Sequence, residues 1–517
     1  KAELRLLLVL AVINFYGRIG VVKELVKKYV ALLPDEDYLV KYPYAAEVFI
    51  GAYDETLEVW LYREKHPLLS EEIMKQCSVK VFNAGFQEKL KDVSQELIDK
   101  ILEINKSGIN LYYKNLLERL FIYKNATDVD EKGNTDVTEF SPLILALPSQ
   151  ASKEEVMCTL AEKTYDAVGS LPVAGNELYY RMGAHVCGHL GRLYKASMES
   201  LKLMENSDKS VDWCKKAEEI MRRGRFEDAY IYHMHGTSLS KQCQDKIKAW
   251  EDEVESCSDK DLEDLERNLK EAVEKFDETV YAGEIIRGRI SKLSLLMEYM
   301  QFLMKHKGIQ GKDSKEIQSL SDRERGYLRV IEELISTLEE AELDDKDQNR
   351  LSNLKNKYRA EIMFNDFGKA IEYYTNAISN TIKTKGEDAE ELYGLRSGLA
   401  GAILGKYNQE GQDPYEKMEE EDRDRILEAL EKNIFSTVVI SDRWEKQSRC
   451  NDCRRWLMLA KQNSVPVQKG ISVAEKWKEL QKQVGIKDPR PSYYLAVLHY
   501  LNVLDGYPSS LNIAQVN

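Results

Sequence analysis

Histidine and cysteine side chains cluster in two predicted helices in the middle of the chain. His185, Cys187 and His189 lie in one segment, and His233 and His235 follow one predicted helix hairpin later. A histidine pair spaced i, i+4 shares one helix face and can bind zinc. The sequence predicts neither a third ligand nor an orienting carboxylate nearby, although metal-binding histidines almost always have such a carboxylate. We therefore favour packing between adjacent helices over a metal site.

A second pair, Cys450 and Cys453, forms a single CxxC motif in a helical setting. Zinc sites of this type need a second half-site, and none accompanies the pair. We expect two core thiols here rather than redox or zinc chemistry.

The sequence also lacks the common signatures of hydrolases. The segment from Gly308 to Asp313 has the wrong spacing for a P-loop and lacks the hydroxyl that would hold magnesium. The HExxH and GxSxG motifs are absent from the sequence. These observations predict that the chain is not an enzyme by itself and has no catalytic residue, metal or cofactor of its own.

One further histidine, His66, is notable for its position. It ends a predicted β-ribbon and precedes Pro67, which fits the first turn of a helix. In a winged helix, a histidine placed in this way can face a nucleotide held by a preceding ATPase module. The plainer interpretation is a helix-entry residue that packs or caps, and we favour it because position in a pattern is only analogy.

Length and composition constrain the elements that carry these residues. A chain of 517 residues is too long for one ordinary core, so roughly two to four domains or one extended solenoid are expected. Glycine and proline are sparse and most apolar residues have helical spacing, which predicts a mainly α fold. Eight cysteines in such a helical chain indicate reduced thiols and a cytoplasmic protein.

Charge argues against one class of partner. The chain has 74 basic and 88 acidic side chains, a net charge of −14. This field repels phosphate backbones, so nucleic-acid binding by the chain as a whole is unfavourable. A local basic patch remains compatible with the sequence.

Two apolar runs resemble membrane segments. The run from Leu4 to Ile13 lacks a cleavage motif, and because the chain opens with Lys1 we expect a segment of a longer polypeptide. The run from Ile285 to His306 is interrupted by charged residues, which predicts a long amphipathic helix and no membrane span.

Residues 1–75 have a winged-helix-like order of elements. Two short helices are predicted at Ala2–Tyr16 and Val21–Leu33. Alternating residues from Val48 to Tyr62 then predict a β-hairpin, with turn formers between Gly51 and Thr56. Residues 76–170 form a helical connector with an exposed polar loop near 125–139.

Residues 171–517 have the spacing of paired amphipathic helices. Apolar residues follow the series i, i+4, i+7 and i+8 in two consecutive segments: Val186, Leu190, Leu193 and Tyr194, then Trp213, Ala217, Ile220 and Met221. Gly191 would let a facing helix approach closely. On that facing helix, Ser210, Cys214 and Ala217 give the small, bulky, small order of a tetratricopeptide-type repeat.

The later repeats are irregular. Ala272 and Ala370 align with Ser210 at successive offsets of 62 and 98 residues, close to two and three units of roughly 34 residues. Polar stretches, including Asp344–Arg350, are predicted as inter-helix loops. The fold predicted is therefore mainly α: a winged-helix-like segment followed by an irregular tetratricopeptide-like α-solenoid.

Several motifs occur in a recognisable order along the chain. After the winged-helix-like segment come HPLxxE from His66, GHLGRLY from Gly188, VDWCxxA from Val211 and YYLAVLHYLNVLDG from Tyr493. This order resembles the region after the ATPase in the large antiviral sterile-α-motif-domain-containing family (nine and nine-like), which are STAND P-loop NTPases. The resemblance covers most of the chain, although its specific motifs occupy only a few dozen positions.

The resemblance implies a functional role. In that family a nuclease module and a nucleotide switch precede the helical repeats, an OB-like module follows them, and the proteins are linked to poxvirus restriction and translational shutdown. This chain would then be a non-catalytic sensor that binds a protein partner or pathogen-derived trigger and docks on the absent NTPase module. His66 would contact the nucleotide held by that module. The alternative is a constitutive scaffold that joins two protein partners without switching.

Overall fold

The computed structural model describes most of the chain and divides it into two compact units, Lys1–Lys241 and Gln242–Asn517. The described residues are 2–30, 32, 36–76, 86–122, 140–195, 203–251, 258–309, 315–363, 367–387, 389, 391–407, 418–436, 443–460, 466–484 and 489–504. Within them are 22 α-helices and one three-stranded sheet, so the predicted mainly α class is confirmed.

Helices dominate the first unit. They are α1 (Ala2–Val12), α2 (Lys23–Lys27), α3 (Tyr38–Lys41), α4 (Pro43–Val48), α5 (Pro67–Gln76), α6 (Phe86–Ile104), α7 (Leu111–Leu117), α8 (Pro142–Ala146), α9 (Gln150–Ser170), α10 (Glu177–Lys195), α11 (Leu203–Gly224) and α12 (Ala229–Glu251), which continues past the unit boundary. Short π-helical segments extend α1 and α7. One continuous apolar core runs from Leu6 to Met234, because each short helix buries its apolar face against its neighbours.

The sheet of the first unit has the antiparallel order β1-β3-β2. Its strands are β1 (Val21–Val22), β2 (Phe49–Asp54) and β3 (Val59–Glu64). The predicted hairpin is confirmed, but its turn is shorter than predicted. The Asp54 carboxylate fixes this turn by accepting the backbone N–H groups of Thr56 and Leu57.

The predicted helix Val21–Leu33 is wrong over its first two residues. Val21 and Val22 pair with Tyr62 and Leu61 as a third strand, and β-branched side chains favour such a position. Among the described residues of that span, Lys23–Lys27 is α-helical. The predicted exposed loop near 125–139 lies outside the described residues.

The second unit is helical throughout its described residues. Its helices are α13 (Asp259–Tyr281), α14 (Ile285–His306), α15 (Asp322–Glu339), α16 (Asp345–Lys357), α17 (Phe367–Lys385), α18 (Glu391–Tyr407), α19 (Glu420–Ile434), α20 (Arg443–Ala460), α21 (Val467–Val484) and α22 (Arg490–Leu504). Most helices pack against the next one in the chain, as in α13 with α14 and α17 with α18. This nearest-neighbour order is the arrangement that a helical solenoid requires.

Side-chain caps set several helix starts in the second unit. Ser258 and Ser321 each form a reciprocal capping box with the acidic residue three positions later. Asp344 accepts the N–H of Asp347 at 2.8 Å, so the polar stretch from Asp344 begins α16 and the predicted loop there is wrong. The amphipathic helix predicted at Ile285–His306 is confirmed as α14. None of the described helices is long and apolar enough to cross a bilayer.

Candidate functional site

The predicted helix hairpin is formed by α10 and α11, and its closest contact is at Gly191. A Cβ atom added to Gly191 would lie 2.9 Å from the carbonyl oxygen of Ser210 and 2.7 Å from the sulfur of Cys214. The Ser210 hydroxyl donates to the Gly191 carbonyl at 2.7 Å. The predicted close approach at Gly191 is thus confirmed, and a side-chain-to-backbone hydrogen bond holds the two helices at that distance.

The third helix, α12, joins this contact through Ser238. Its hydroxyl oxygen lies 2.8 Å from that of Ser210 and donates to the Met234 carbonyl at 2.8 Å. Cys214 is completely buried beside it, and burial raises the pKa of its thiol to about 11. Cys214 is therefore a neutral packing residue at physiological pH.

His185 at the start of this region is bound to a carboxylate. Its Nε2 atom lies 2.7 Å from an Asp228 carboxylate oxygen. Burial by itself would raise the pKa of Asp228, but the hydrogen bond and charge of His185, with the backbone N–H groups of Ile231 and Tyr230, bring that pKa below its usual value. Asp228 consequently links α10 to the first turn of α12.

His235 is paired in the same way with α11. Its Nδ1 atom lies 2.6 Å from a Glu218 carboxylate oxygen, and the imidazole is almost entirely buried. The expectation that no orienting carboxylate lies near the histidines is therefore wrong for both His185 and His235. Each partner is distant in sequence, so helix periodicity gave no sign of it.

His189 packs in an aromatic environment instead. It is fully buried, its ring centre lies 4.8 Å from that of Phe140, and its Nδ1 atom is 3.5 Å from the Tyr230 hydroxyl. The Arg192 guanidinium lies over the Phe140 ring, 4.6 Å from its centre. His189 and His185, one turn apart, thus both contact Tyr230, and His185 also pairs with Asp228.

The histidines do not converge on one point. Among the described residues, no group of three or more His, Cys, Asp or Glu side chains could hold a metal ion. The arrangement instead cross-links three helices: α10 to α12 through His185 and α11 to α12 through His235. The histidine cluster therefore fixes the geometry of the helix hairpin.

The CxxC pair lies on α20, inside the second unit. Cys450 and Cys453 are both buried free thiols. Burial, with the neighbouring Cys450 and Asp452, raises the pKa of Cys453 well above its ordinary value. A thiol held neutral in this way is a poor nucleophile and metal ligand, in keeping with the expected core role.

Sequence reasoning missed the buried carboxylate between these cysteines. Asp452 is 1% exposed and accepts hydrogen bonds from Ser397 at 3.0 Å and from Tyr393 and Asn433 at 3.2 Å. Burial raises the pKa of Asp452, against the lowering effects of Arg455 and of these three donors. Asp452 therefore ties α20 to α18 and α19. The one sequence feature that could have indicated this buried carboxylate was an aspartate within an otherwise apolar helix face.

His66 lies at the start of α5, as its sequence position predicts. It is exposed, and its Nδ1 atom accepts the N–H of Leu68 at 3.2 Å. This contact caps the helix in the manner of the plainer interpretation. An imidazole that accepts at Nδ1 carries its proton on Nε2 when neutral, so a donor remains for a nucleotide. Contact with a nucleotide remains a prediction.

The chain was compared with known proteins at the level of family and sequence. No family model matches it, and no curated protein matches it significantly.

Proposed function

We propose that this chain is the sensor and autoinhibitory region of an innate-immune antiviral STAND-type protein. In this proposal the first 75 residues form a winged-helix-like segment and residues 171–517 form a tetratricopeptide-like solenoid. The sheet order β1-β3-β2, followed directly by α5 at Pro67, supports the first part. The chain itself is not an enzyme and binds no cofactor of its own.

The observation that carries the proposal is the contact between α10 and α11. Gly191 lies against the backbone of Ser210, with Cys214 and Ala217 fully buried on the following turns. A small residue at this position on the first helix, facing a small residue on the second, is typical of tetratricopeptide-type hairpins. Stacked hairpins of this kind present an extended surface that suits binding of a protein or pathogen-derived trigger.

The proposed mechanism is a shift between two states. The repeats dock on an upstream nucleotide switch and hold it inactive. A trigger that binds the repeats better in the released state moves the equilibrium by its differential affinity. Translational shutdown would then be carried out by modules outside this chain.

The proposed location is the cytoplasm, with protein partners rather than nucleic acid. The six described cysteines assigned as free thiols are Cys158, Cys187, Cys214, Cys243, Cys450 and Cys453. Reduced, mostly buried thiols fit a reducing compartment, and the net charge of −14 disfavours phosphate backbones.

Substitution of His66 in the longer parent polypeptide tests the proposed nucleotide contact. We expect His66→Asn to lose nucleotide retention, because an asparagine side chain can still cap α5 but has no imidazole for the nucleotide. The measurement is the amount of ADP or ATP that copurifies with the protein. His499→Ala, at another exposed histidine, is the matched control and should retain the nucleotide.

The alternative function, a constitutive scaffold, has a clear signature. The parent gene would then encode no P-loop ahead of this region, and His66→Asn would change nothing beyond local stability. Absence of the P-loop would remove the sensor role and leave a repeat protein that joins two partners, whereas an unchanged His66→Asn variant would remove only the proposed nucleotide contact.

A further inference from the structure

The β-hairpin of the first unit exposes two aromatic side chains at its tip. Tyr53 and Trp60 face each other across β2 and β3, and their exposed fractions are 56% and 48%. Phe49 and Tyr62 lie on the same face of these strands but are fully buried. The aromatic stripe thus begins in the core and emerges into solvent.

The Trp60 indole packs against Gly51 on the neighbouring strand, where there is no side chain to keep it away from the backbone. A Cβ atom added to Gly51 would lie 2.7 Å from the indole Nε1 and 2.8 Å from Cζ2 of Trp60. The indole therefore covers the backbone of Gly51. An aromatic ring fixed in this way loses little conformational entropy when a partner binds to it.

The turn beside these rings is acidic. Asp54 is ion-paired with Arg63 and accepts two backbone N–H groups, so its charge is already compensated. Glu55 and Glu58 are exposed, and no described lysine or arginine lies within ion-pairing distance of either. Two aromatic faces and two carboxylates without a described cationic partner thus lie within the eight residues from Tyr53 to Trp60.

This combination selects one kind of partner. The face of an indole or phenol ring attracts cations, and an ionised carboxylate binds guanidinium and ammonium groups. An anionic partner would be repelled by the same carboxylates and by the net charge of −14. We propose that the hairpin tip, defined as Tyr53, Glu55, Glu58 and Trp60, docks an arginine- or lysine-bearing segment of a partner protein.

This docking surface is independent of the nucleotide switch. It requires neither His66 nor an upstream module, so it can be tested on the 517-residue chain. The segment would place a guanidinium or ammonium group over Trp60 and Tyr53, with Glu55 and Glu58 receiving its N–H groups.

The test is fluorescence anisotropy with a labelled peptide of alternating arginine and glycine, at low and moderate salt. We expect binding that Trp60→Ala weakens by roughly five- to tenfold. The double substitution of Glu55→Gln and Glu58→Gln should weaken binding similarly and reduce its salt dependence. Tyr281→Ala removes an aromatic that is 82% exposed on α13 and should leave binding unchanged.

The aromatic substitution separates docking from simple charge attraction. Trp60→Ala does not change net charge, so equal binding by this variant and the unsubstituted protein would overturn the proposal. The double glutamine variant keeps every aromatic ring and covers the case in which Trp60→Ala does not fold. Two other results would also overturn the proposal. Self-association that depends on Trp60, without peptide binding, would assign the surface to a second copy of the chain. Binding of oligothymidylate that depends on Trp60 would assign it to nucleic acid.

Discussion

Carboxylate partners determine what His185 and His235 can do. His185 and His235 each bind an acidic side chain on a different helix, Asp228 and Glu218, at 2.7 and 2.6 Å. Such pairs orient an imidazole and resist its rotation. These pairs favour a structural role for the histidine cluster.

We expect Gly191→Ala to destabilise the first unit by about 1–3 kcal/mol, because the new methyl group would collide with the Ser210 carbonyl and the Cys214 sulfur. Gly169→Ala is the matched control. Its Cβ would meet only Arg223 Nη1 at 3.8 Å, so the better helix propensity of alanine should stabilise the protein by up to about 1 kcal/mol. Urea unfolding measures both. A neutral effect of Gly191→Ala would contradict the described helix contact.

Half-buried Asp228 and buried Asp452 should give opposite pH dependences. The folded-state pKa of Asp228 is lowered, so the stability it contributes is present above its unfolded pKa and is lost as pH falls through the folded value. The folded-state pKa of Asp452 is raised, so its contribution is complete below the unfolded pKa and is lost as pH rises through the folded value.

Asparagine substitutions test these signs. Asp228→Asn should cost about 1–3 kcal/mol near pH 7, because it removes the charged partner of His185. The stability of Asp452→Asn relative to the unsubstituted protein should rise as pH rises from the unfolded aspartate pKa of about 3.9 towards the raised folded value, because the amide cannot ionise. The free energy of unfolding, followed from about pH 3 to pH 8, checks both signs. A relative stability of Asp452→Asn that falls with rising pH would show that the buried carboxylate is stabilised as an anion.

At the scale of elements, local patterns predicted the long helices well. The apolar spacing around Val186 and Trp213 and the charged residues within Ile285–His306 were sufficient for α10, α11 and α14. The strand Val21–Val22 escaped prediction because its partners, Tyr62 and Leu61, are distant in sequence. The carboxylates at the histidine cluster were missed for the same reason, because they are distant in sequence from their histidines. The Asp344 cap was a local signal, but the polar residues around it favoured a loop.

Tyr112 shows how a helix completes the short strand β1. Its hydroxyl donates to the Gly20 carbonyl at 2.9 Å and accepts the Val22 N–H at 3.2 Å. Tyr112→Phe should therefore leave two buried backbone groups unpaired and cost about 1–3 kcal/mol.

Tyr113→Phe is the comparison, because it loses one contact, at 3.2 Å, to the Glu24 side chain. It should cost less than Tyr112→Phe in the same urea titration. Equal effects would mean that the Tyr112 hydroxyl does not support β1.

At the scale of the whole molecule, the boundary between the compact units falls at Lys241, within α12. One apolar core joins α1 and the sheet, the helices α6 to α9, and the α10–α11 hairpin. In the proposed mechanism, binding at that hairpin would act through this core on the sheet and on α5, where His66 begins the helix. This continuity supports the proposal that the repeats regulate a switch upstream of residue 1.

The most direct test is nucleotide release from the longer parent polypeptide. A fluorescent ADP analogue should leave faster when residues 252–517, which follow α12, are deleted, since most of the proposed inhibitory repeats are removed while the apolar core from Leu6 to Met234 stays complete. Circular dichroism and retained analogue binding would establish that the shortened protein is folded. Faster release from this variant is the result the proposal predicts, and an unchanged release rate from a folded variant would contradict it.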